Sequence, residues 1–417
     1  MRFQTTIPTI AVVAVLWLLL SGCGSQPPSS SRAADVERIV VSPDQAKEAV
    51  LQVSQAALTL GVKLAAEAGN DAVVSPASAL IALSMLREGA SEEGAQEMDS
   101  VLGWGSDRQR GINAVLAELQ KYDGDPASVD KANPPEKPAA KTSNGIFVQK
   151  SAPIGPGFLT VLAKHYGTGV YPVNFAGDAK DKINAWVKEN IGGLIEKAPL
   201  ESSADTKLSL LNALFFAARW QQPFNPESTL DAPFHAASWQ LNVPMMHATQ
   251  KLTYAEGPGW QAIDLPYGRC FVMRLYLPAA EGKPLPGAAQ LAAVGSSLSS
   301  AQKQLIGLGL PSWDKMSNLD LMEPLRKIGL RKTFDDGGFD AILPGALIGG
   351  AAQTAVVNVA EKGTVAAALT QINVETSVDL VTETPRQLDF DRPFSYQIIQ
   401  LETGLPLFLG VVDNPKA

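Results

Sequence analysis

The chain has 417 residues, of which 46% are hydrophobic, and a formal net charge of −8. This composition supplies a large hydrophobic core, and the length alone fits one large or two ordinary domains. The mildly acidic balance gives no electrostatic basis for nucleic acid as a partner.

The N-terminal residues follow the pattern of an export signal. Met1-Arg2 leads into an apolar run over 10–20, and small residues follow in Ser21-Gly22-Cys23. A charged start, an apolar core and small residues before a cleavage point predict a signal peptide over 1–22. Small residues directly before a cysteine resemble the bacterial lipobox, in which Cys23 is lipidated. The alternative is an ordinary signal peptide or a membrane anchor with an incidental cysteine.

We expect Cys23 to be followed by a flexible tether over 23–45, because 26–34 is rich in Pro and Ser. A lipid on Cys23 would hold the protein to a membrane without a spanning helix. The predicted location is therefore exported and lipid-anchored to the cell envelope or cell surface. Gly24 stands where an aspartate would favour inner-membrane retention, so we favour the outer membrane.

Helical and strand patterns alternate along the rest of the chain. Apolar residues recur at helical spacing over 46–66, and Ser75-Pro76 opens a second helix that is apolar on nearly every side. The stretch Tyr122–Thr142 has no periodicity and predicts an exposed loop. Leu208–Ala217 is almost continuously apolar, which is typical of a strand covered on both faces at a sheet's centre. Cys270 begins a strand-like run and is expected to be a buried structural cysteine.

The stretch Glu361–Thr370 alternates as a strand does. Its even positions, from Thr364 to Thr370, are all small, and Gly363 permits unusual backbone angles. Small side chains on one face suit a segment that enters a packed sheet without displacing its core. An Ala-rich connector or a frayed helix is the alternative from these residues alone.

No enzymatic motif is present in the sequence. It has three histidines, no His-Glu-x-x-His, no Cys-x-x-Cys, no Gly-x-Ser-x-Gly elbow and no phosphate-binding glycine motif. We therefore predict that the protein is not an enzyme, with no catalytic residue, no metal and no cofactor. No internal repeat or clean linker interrupts residues 46–417, which we interpret as one α+β domain.

A set of short motifs occurs in a fixed order along the chain. The motifs include Val74-Ser75-Pro76-Ala77-Ser78, Asn144-Gly145-Ile146-Phe147-Val148, Leu211-Asn212-Ala213-Leu214-Phe215-Phe216 with Trp220, Leu265-Pro266-Tyr267, Glu361-Lys362-Gly363-Thr364 with Ala366-Ala367-Ala368, Asp391-Arg392-Pro393-Phe394 and Leu407-Phe408-Leu409-Gly410. Through this ordered set, which is specific although no single motif is, the chain resembles the serpin (serine protease inhibitor) family from about residue 46 to 415.

The resemblance implies a serpin fold with a large central β-sheet, further β-sheets, about eight or nine α-helices and an exposed reactive-centre loop over about 361–389. It implies a suicide-substrate mechanism: a protease cleaves the loop, forms an acyl-enzyme and is trapped when the loop inserts as a strand. The residues it assigns are the hinge Glu361, Gly363, Thr364, Ala366, Ala368 and Thr370, and the shutter and breach Ser75, Ser78, Asn212, Trp220 and Gln353.

The resemblance also places the cleaved bond. Counting from Gly363 puts it between Ser377 and Val378, with Thr376 as a neighbour, whereas counting back from Pro393 points nearer Thr382. These residues are small and uncharged, which favours an elastase-like or subtilisin-like serine protease, with cysteine proteases as an alternative class. Arg386 is too close to Pro393 to be a good bait.

Several positions depart from the family pattern. Val365 stands where Glu is common, Gln353 where His is frequent and Ile191 where Thr is usual; these bear on the tuning of the shutter, not on the fold. Basic residues are spread out over 108–121, so no heparin site is implied, and a monomer is expected. The alternative function is a non-inhibitory serpin-fold lipoprotein that binds partners at the surface.

Overall fold

A computed structural model describes residues 26–130, 132–200, 203–236, 239–279, 283–335, 338–364 and 384–416. Within these ranges the chain forms fifteen strands and nine α-helices. The strands are β1 Val73–Val74, β2 Ala139–Gln149, β3 Tyr171–Val173, β4 Leu208–Arg219, β5 Thr229–His235, β6 Gln240–Gly257, β7 Trp260–Tyr267, β8 Phe271–Pro278, β9 Lys303–Pro311, β10 Trp313–Asp320, β11 Ile348–Ala360, β12 Gly363–Thr364, β13 Arg386–Asp389, β14 Phe394–Gln400 and β15 Leu405–Val412.

The helices range in length from 22 residues in the first to four in the last. They are α1 Lys47–Ala68, α2 Pro76–Arg87, α3 Glu92–Leu102, α4 Arg108–Leu119, α5 Pro156–Val161, α6 Ala179–Asn190, α7 Ala288–Ser300, α8 Met322–Lys327 and α9 Lys332–Asp335. One π-helical turn, Leu162–Tyr166, continues α5. This mixed α+β architecture confirms the predicted fold class.

The six-stranded sheet has the order β10-β11-β12-β4-β2-β3. β4 is central because its side chains are buried on both faces along almost its whole length, which confirms the strand predicted from Leu208–Ala217. α2 packs on one face of this sheet. On the other face, α6 packs through Trp186, whose ring lies edge-on to Phe147 at 5.5 Å.

The nine-stranded sheet has the order β1-β15-β14-β8-β7-β6-β9-β13, with β5 paired to β6. β6 is one long strand that pairs with β5 and β9 along its first part and with β7 at its end. The resemblance implied several further sheets beside the central one, and in the structure their strands join into this single nine-stranded sheet. The two sheets share one large hydrophobic core with α1 and α2.

Two helices illustrate how the sequence sets local structure. α2 begins because the Ser75 side chain caps the Ser78 N–H and Pro76 occupies the first turn. By length and composition alone, the helical stretch Pro43–Ala68 could cross a membrane. However, 56% of its most apolar window is buried inside the protein, which is typical of a core helix.

Two local predictions differ from the structure. Residues 139–142 of the predicted loop Tyr122–Thr142 belong to β2, because they pair with residues 214–217 of β4. Cys270 lies in the turn before β8 and is half-buried, not buried within a strand. The carbonyl of Cys270 accepts the Leu401 N–H at 2.9 Å, so the contact that this residue makes in the turn is through its backbone.

The described part of the predicted tether also contacts the body. Ser31 forms an antiparallel β-bridge with Val170, and the Ile39 N–H donates to the Lys164 carbonyl at 2.9 Å. This differs from a tether that is free up to residue 45. Backbone hydrogen bonds hold the segment, and its Pro/Ser-rich composition gave no sign of them.

Candidate functional site at the loop hinge

The first two hinge residues already form a strand inside the six-stranded sheet. β12 lies between β11 and β4 and is antiparallel to both: Gly363 pairs with Ala360 and Arg219, and Thr364 pairs with Val359 and Ala218. Below this point β11 and β4 pair directly with each other as parallel strands, from Ile348 to Ala355 on β11. The described hinge residues thus lie between the C-terminal ends of β11 and β4, where a further strand between the two would begin.

Gly363 is needed at the entry to this strand. Its φ is +156°, and a Cβ there would collide with the carbonyl of Ala218. Only glycine combines this backbone angle with so close an approach to a neighbouring strand. The sequence prediction of a hinge at Gly363 therefore falls on a position where the backbone requires glycine.

Thr364 is buried and held by an aromatic pair. Its hydroxyl is hydrogen-bonded to the Tyr267 hydroxyl. Tyr267 stacks on Trp220 with ring centroids 4.2 Å apart, and complete burial raises the pKa of Tyr267 well above its ordinary value. Tyr267 is therefore a neutral hydroxyl at any physiological pH. This contact provides a hydrogen-bond partner for the buried hydroxyl of Thr364.

Trp220 also holds the turn between β11 and β12. Its indole N–H donates to the Ala360 carbonyl at 2.9 Å, and its backbone N–H donates to the Lys362 carbonyl at 2.9 Å. Glu361 is fixed separately, since its carboxylate accepts the Thr229 hydroxyl at 2.9 Å. The structure thus brings the predicted residues Glu361, Gly363, Thr364 and Trp220 together at one end of the sheet.

The other predicted site residues form a second cluster, lower in the sheet. Gln353 is completely buried: its side-chain oxygen accepts the Ser75 N–H at 2.7 Å, and its amide donates to the Ser75 carbonyl at 2.9 Å and to the Asn212 side chain at 2.8 Å. Ser78 contacts the Asn144 side chain at 3.4 Å. Gln353 therefore links the start of α2 to both β11 and β4.

A further contact at the hinge comes from the loop before β2, which the sequence did not place there. We call Asp130, Asn133, Pro135 and Glu136 the latch. Asn133 accepts a hydrogen bond from the Lys362 ammonium at 2.8 Å and donates to the Asp130 carboxylate at 2.9 Å.

The rest of the latch contacts β4. The Pro135 carbonyl accepts the Arg219 N–H at 3.0 Å, and the Glu136 carboxylate lies 3.4 Å from the Arg219 guanidinium. The latch therefore joins β4 to the hinge turn. The hydrogen bond from Asn133 is the first cause that lowers the pKa of Asp130, and the charge of Lys362 adds to it.

The far end of the loop is also fixed. Arg386 begins β13, which pairs with β9 in parallel. Its guanidinium contacts the Glu256 carboxylate at 2.9 Å and the Tyr254 hydroxyl at 3.0 Å, and lies over the Tyr254 ring. Arg386 is therefore held at the C-terminal end of the loop.

Several predicted residues lie outside the described part of the chain. They are Cys23, Ala366, Ala368, Thr370, Ser377 and Val378, together with the alternatives Thr376 and Thr382. The residues that sequence reasoning did not assign to the site are Tyr267, Thr229 and the latch. Tyr267 lies in a motif that carried the resemblance, whereas Asn133 lies in a stretch without any periodic signal.

Comparison with known proteins agrees with this arrangement. A sequence model of the family "Serpin (serine protease inhibitor)" matches residues 52–415. An uncharacterized serpin-like protein of Thermococcus kodakarensis is 29% identical, covering 98% of this chain and 99% of that protein. The leukocyte elastase inhibitor of Bos taurus is 30% identical, covering 84% of this chain and 94% of that protein. The chain therefore belongs to the serpin family, which consists of protease inhibitors, together with some non-inhibitory members, and not of catalysts in the usual sense.

Solved structures show the same fold. The native state of the thermophilic serpin tengpin superposes with a TM-score of 0.78 at 20% identity, covering 93% of this chain and 100% of that one. At this identity the likeness concerns the fold alone.

Replacement of Gln353 tests the lower cluster. Gln353→Ala leaves the buried Ser75 N–H and the Asn212 side chain without this partner, which costs about 2–6 kcal/mol at about 1–3 kcal/mol per buried group. We expect a correspondingly lower midpoint in urea unfolding. Gln55→Ala, on the exposed face of α1, is the matched control and should change the midpoint little. Equal midpoints for Gln353→Ala and the wild type would contradict this account of the cluster.

Replacement of Asn133 tests the latch. Asn133→Ala removes the acceptor of the Lys362 ammonium, an exposed interaction that is worth about 0.5–1 kcal/mol. Amide exchange at Thr364, measured by mass spectrometry, should become about two- to fivefold faster, because this free energy opposes opening of the hinge. Asn242→Ala, on an exposed position of β6, should leave exchange at Thr364 unchanged. If the two variants behave alike, the latch does not restrain the hinge.

Proposed function

We propose that this protein inhibits serine proteases as a suicide substrate. The protease cleaves the loop between β12 and β13 and forms an ester between its serine and the new carboxyl end of the loop. The loop segment that follows Thr364 then extends β12 between β11 and β4. The observation that carries the proposal is that Gly363 and Thr364 already pair with both neighbouring strands.

The strand pairing supplies a reason for the insertion. β11 and β4 are parallel where they pair directly, and β12 is antiparallel to both. Extension of β12 would therefore replace one parallel ladder by two antiparallel ladders, which are slightly more stable per residue. A strand of about thirteen residues spans about 43 Å, enough to carry an attached protease from one end of the sheet to the other.

The proposed target is an elastase-like or subtilisin-like protease, with cleavage at Ser377–Val378. Small, uncharged residues occupy 376–378, which suits a protease with a small apolar specificity pocket. The contacts of Arg386 support this choice. Because Arg386 is held in β13 and by Glu256, it is not free to enter the specificity pocket of a trypsin-like protease. Cysteine proteases are the second class to test.

We further propose that the protein is exported and anchored by a lipid on Cys23, with the outer membrane favoured. The support is the order of charged, apolar and small residues before Cys23. Such an anchor would place the inhibitor where proteases from outside meet the cell surface. It would also restrict the orientations in which the loop is presented.

Direct mixing with proteases tests the inhibitory function. Incubation with pancreatic elastase or subtilisin should yield a covalent complex that survives SDS, with loss of protease activity, because deacylation stops once the loop inserts. Mass mapping of the released C-terminal peptide should place the cut at Ser377–Val378. Trypsin is the comparison protease and should be inhibited far more slowly. Cleavage of the loop with full protease activity remaining would favour the non-inhibitory alternative.

A charge at the hinge tests strand insertion as the mechanism. Thr364→Arg places a cation against the buried Tyr267 and Trp220, at a position where Thr364 is 1% exposed. Burial of an unpaired charge is strongly unfavourable. The variant should therefore be cleaved but should form at least tenfold less covalent complex. Val365→Arg is the matched control, because strand alternation puts residue 365 on the opposite face. Normal inhibition by Thr364→Arg would contradict insertion.

A further inference from the structure

The N-terminal segment is fixed to the edge of the six-stranded sheet. The Ser31 N–H donates to the Val170 carbonyl at 2.6 Å, and the Val170 N–H donates to the Ser31 carbonyl at 3.0 Å. Val170 directly precedes β3, the edge strand of the sheet. The chain therefore separates from the body at Ser31 and not at the start of α1.

A second attachment lies ten residues further on, at the buried side chain of Asn113 in α4. Asn113 accepts the Val41 N–H at 2.8 Å and donates to the carbonyls of Ile39 and His165, both at 2.7 Å. We call residues 31–41 the docked segment and the surface beneath it, which includes Asn113, His165 and Val170, the docking face.

The docked segment holds two apolar side chains in solvent. Ile39 is 40% exposed and Val40 is 66% exposed, although the N–H and carbonyl of Ile39 are both hydrogen-bonded to the body. The docked segment also carries two cations and two anions, so its formal net charge is zero; they are Arg32, Arg38, Asp35 and Glu37. The segment therefore offers apolar surface without net positive charge, a combination that suits the boundary region of a bilayer and does not require anionic lipid.

Docking shortens the leash between the body and a lipid on Cys23. About eight residues separate Cys23 from Ser31, and they reach at most about 29 Å when fully extended. A domain of this length has a radius of gyration of about 21 Å and is therefore roughly 50 Å across. A leash shorter than the domain's width cannot present every side of the protein to the membrane. A leash free up to residue 45 could do so.

The attachment point also lies away from the reactive loop. β2 starts beside the hinge end of β4 and pairs with β3 only at its far end, where Phe147 is opposite Tyr171. Ser31 is therefore about eight rows, or about 26 Å, from the hinge along the sheet. It is also separated from β4 by β2 and β3. The leash thus leaves from a lateral edge, not from the end that carries the loop.

We propose that the side of the protein that carries the docked segment faces the membrane, and that the lipid bilayer contacts the exposed surface of this segment. The central sheet then lies alongside the bilayer, and the end of the molecule that carries the loop stands clear of it. Ile39 and Val40 enter the boundary of the bilayer. This proposal rests on the proposed lipidation of Cys23.

Three exposed apolar positions report the orientation. Val40 lies on the docked segment, Met316 on β10 at the opposite edge of the sheet, and Leu230 on β5 next to the hinge contact of Thr229. The chain from residue 23 onward, with Cys270→Ser, is joined at Cys23 to a maleimide lipid. A clickable amino acid at one of the three positions carries a fluorophore, and phosphatidylcholine vesicles carry a headgroup energy acceptor.

We expect at least twofold stronger energy transfer from residue 40 than from residue 230, and the weakest transfer from residue 316. The same order should hold when phosphatidylglycerol is added, because charge does not set the orientation. Ser31→Pro removes the N–H that donates to the Val170 carbonyl, and the site lies outside the hydrophobic core. This variant should reduce the difference in energy transfer between residues 40 and 316. Equal transfer from all three positions, or strongest transfer from residue 316 or 230, would overturn the proposal.

A separate measurement tests the anchor itself. Bacterial cells expressing the full chain are labelled with palmitate, and the label should appear in the wild type and not in Cys23→Ser. Absence of label from the wild type would remove the anchor from the proposed function. It would not affect the vesicle result, because in that experiment the lipid is attached chemically.

Discussion

The pairing of β11 with β4 is the constraint on which the rest of the structure depends. These strands are parallel and adjacent over most of β11, yet two hinge residues separate them at one end and are antiparallel to both. A sheet in this state contains both a closed part and an opened part. The closed part can accept a strand with a gain in stability, because one parallel ladder would be replaced by two antiparallel ladders, which are slightly more stable per residue.

The contacts around this pair restrain that exchange. Gln353 connects β11 and β4 to the start of α2 in the closed part, and the stacked Trp220 and Tyr267 hold the hinge in the opened part. At the far end, Arg386 fixes β13 to the other sheet. Both ends of the loop are thus anchored, so the bond between them can be cut without loss of either anchor.

The sequence predicts those parts of the molecule whose signals are local. Continuous apolarity predicts β4, and a Ser-Pro start predicts α2. A glycine followed by small residues at alternate positions predicts the hinge. In the structure Gly363 has a backbone angle that favours glycine, and the small Thr364 side chain is buried. Gln353 could be assigned to the site only through the family resemblance, because a lone glutamine in a strand carries no signal of its own.

The remaining contacts could not be predicted because they join residues far apart in the chain. Lys362 meets Asn133 across 229 positions, and Arg386 meets Glu256 across 130. The docking of Ser31 on Val170 depends on backbone groups, which every residue except proline carries alike. Composition indicated a free tether there, whereas edge pairing holds the described part of it against the sheet.

Thermal unfolding of the loop-cleaved protein tests the central claim most directly. Cleavage within the loop by a protease that is not trapped should allow insertion, which adds on the order of ten strand hydrogen bonds and raises the unfolding midpoint by about 10–20 °C. Thr364→Arg, cleaved in the same way, should show a much smaller rise. An unchanged midpoint after cleavage of the wild type would contradict strand insertion between β11 and β4.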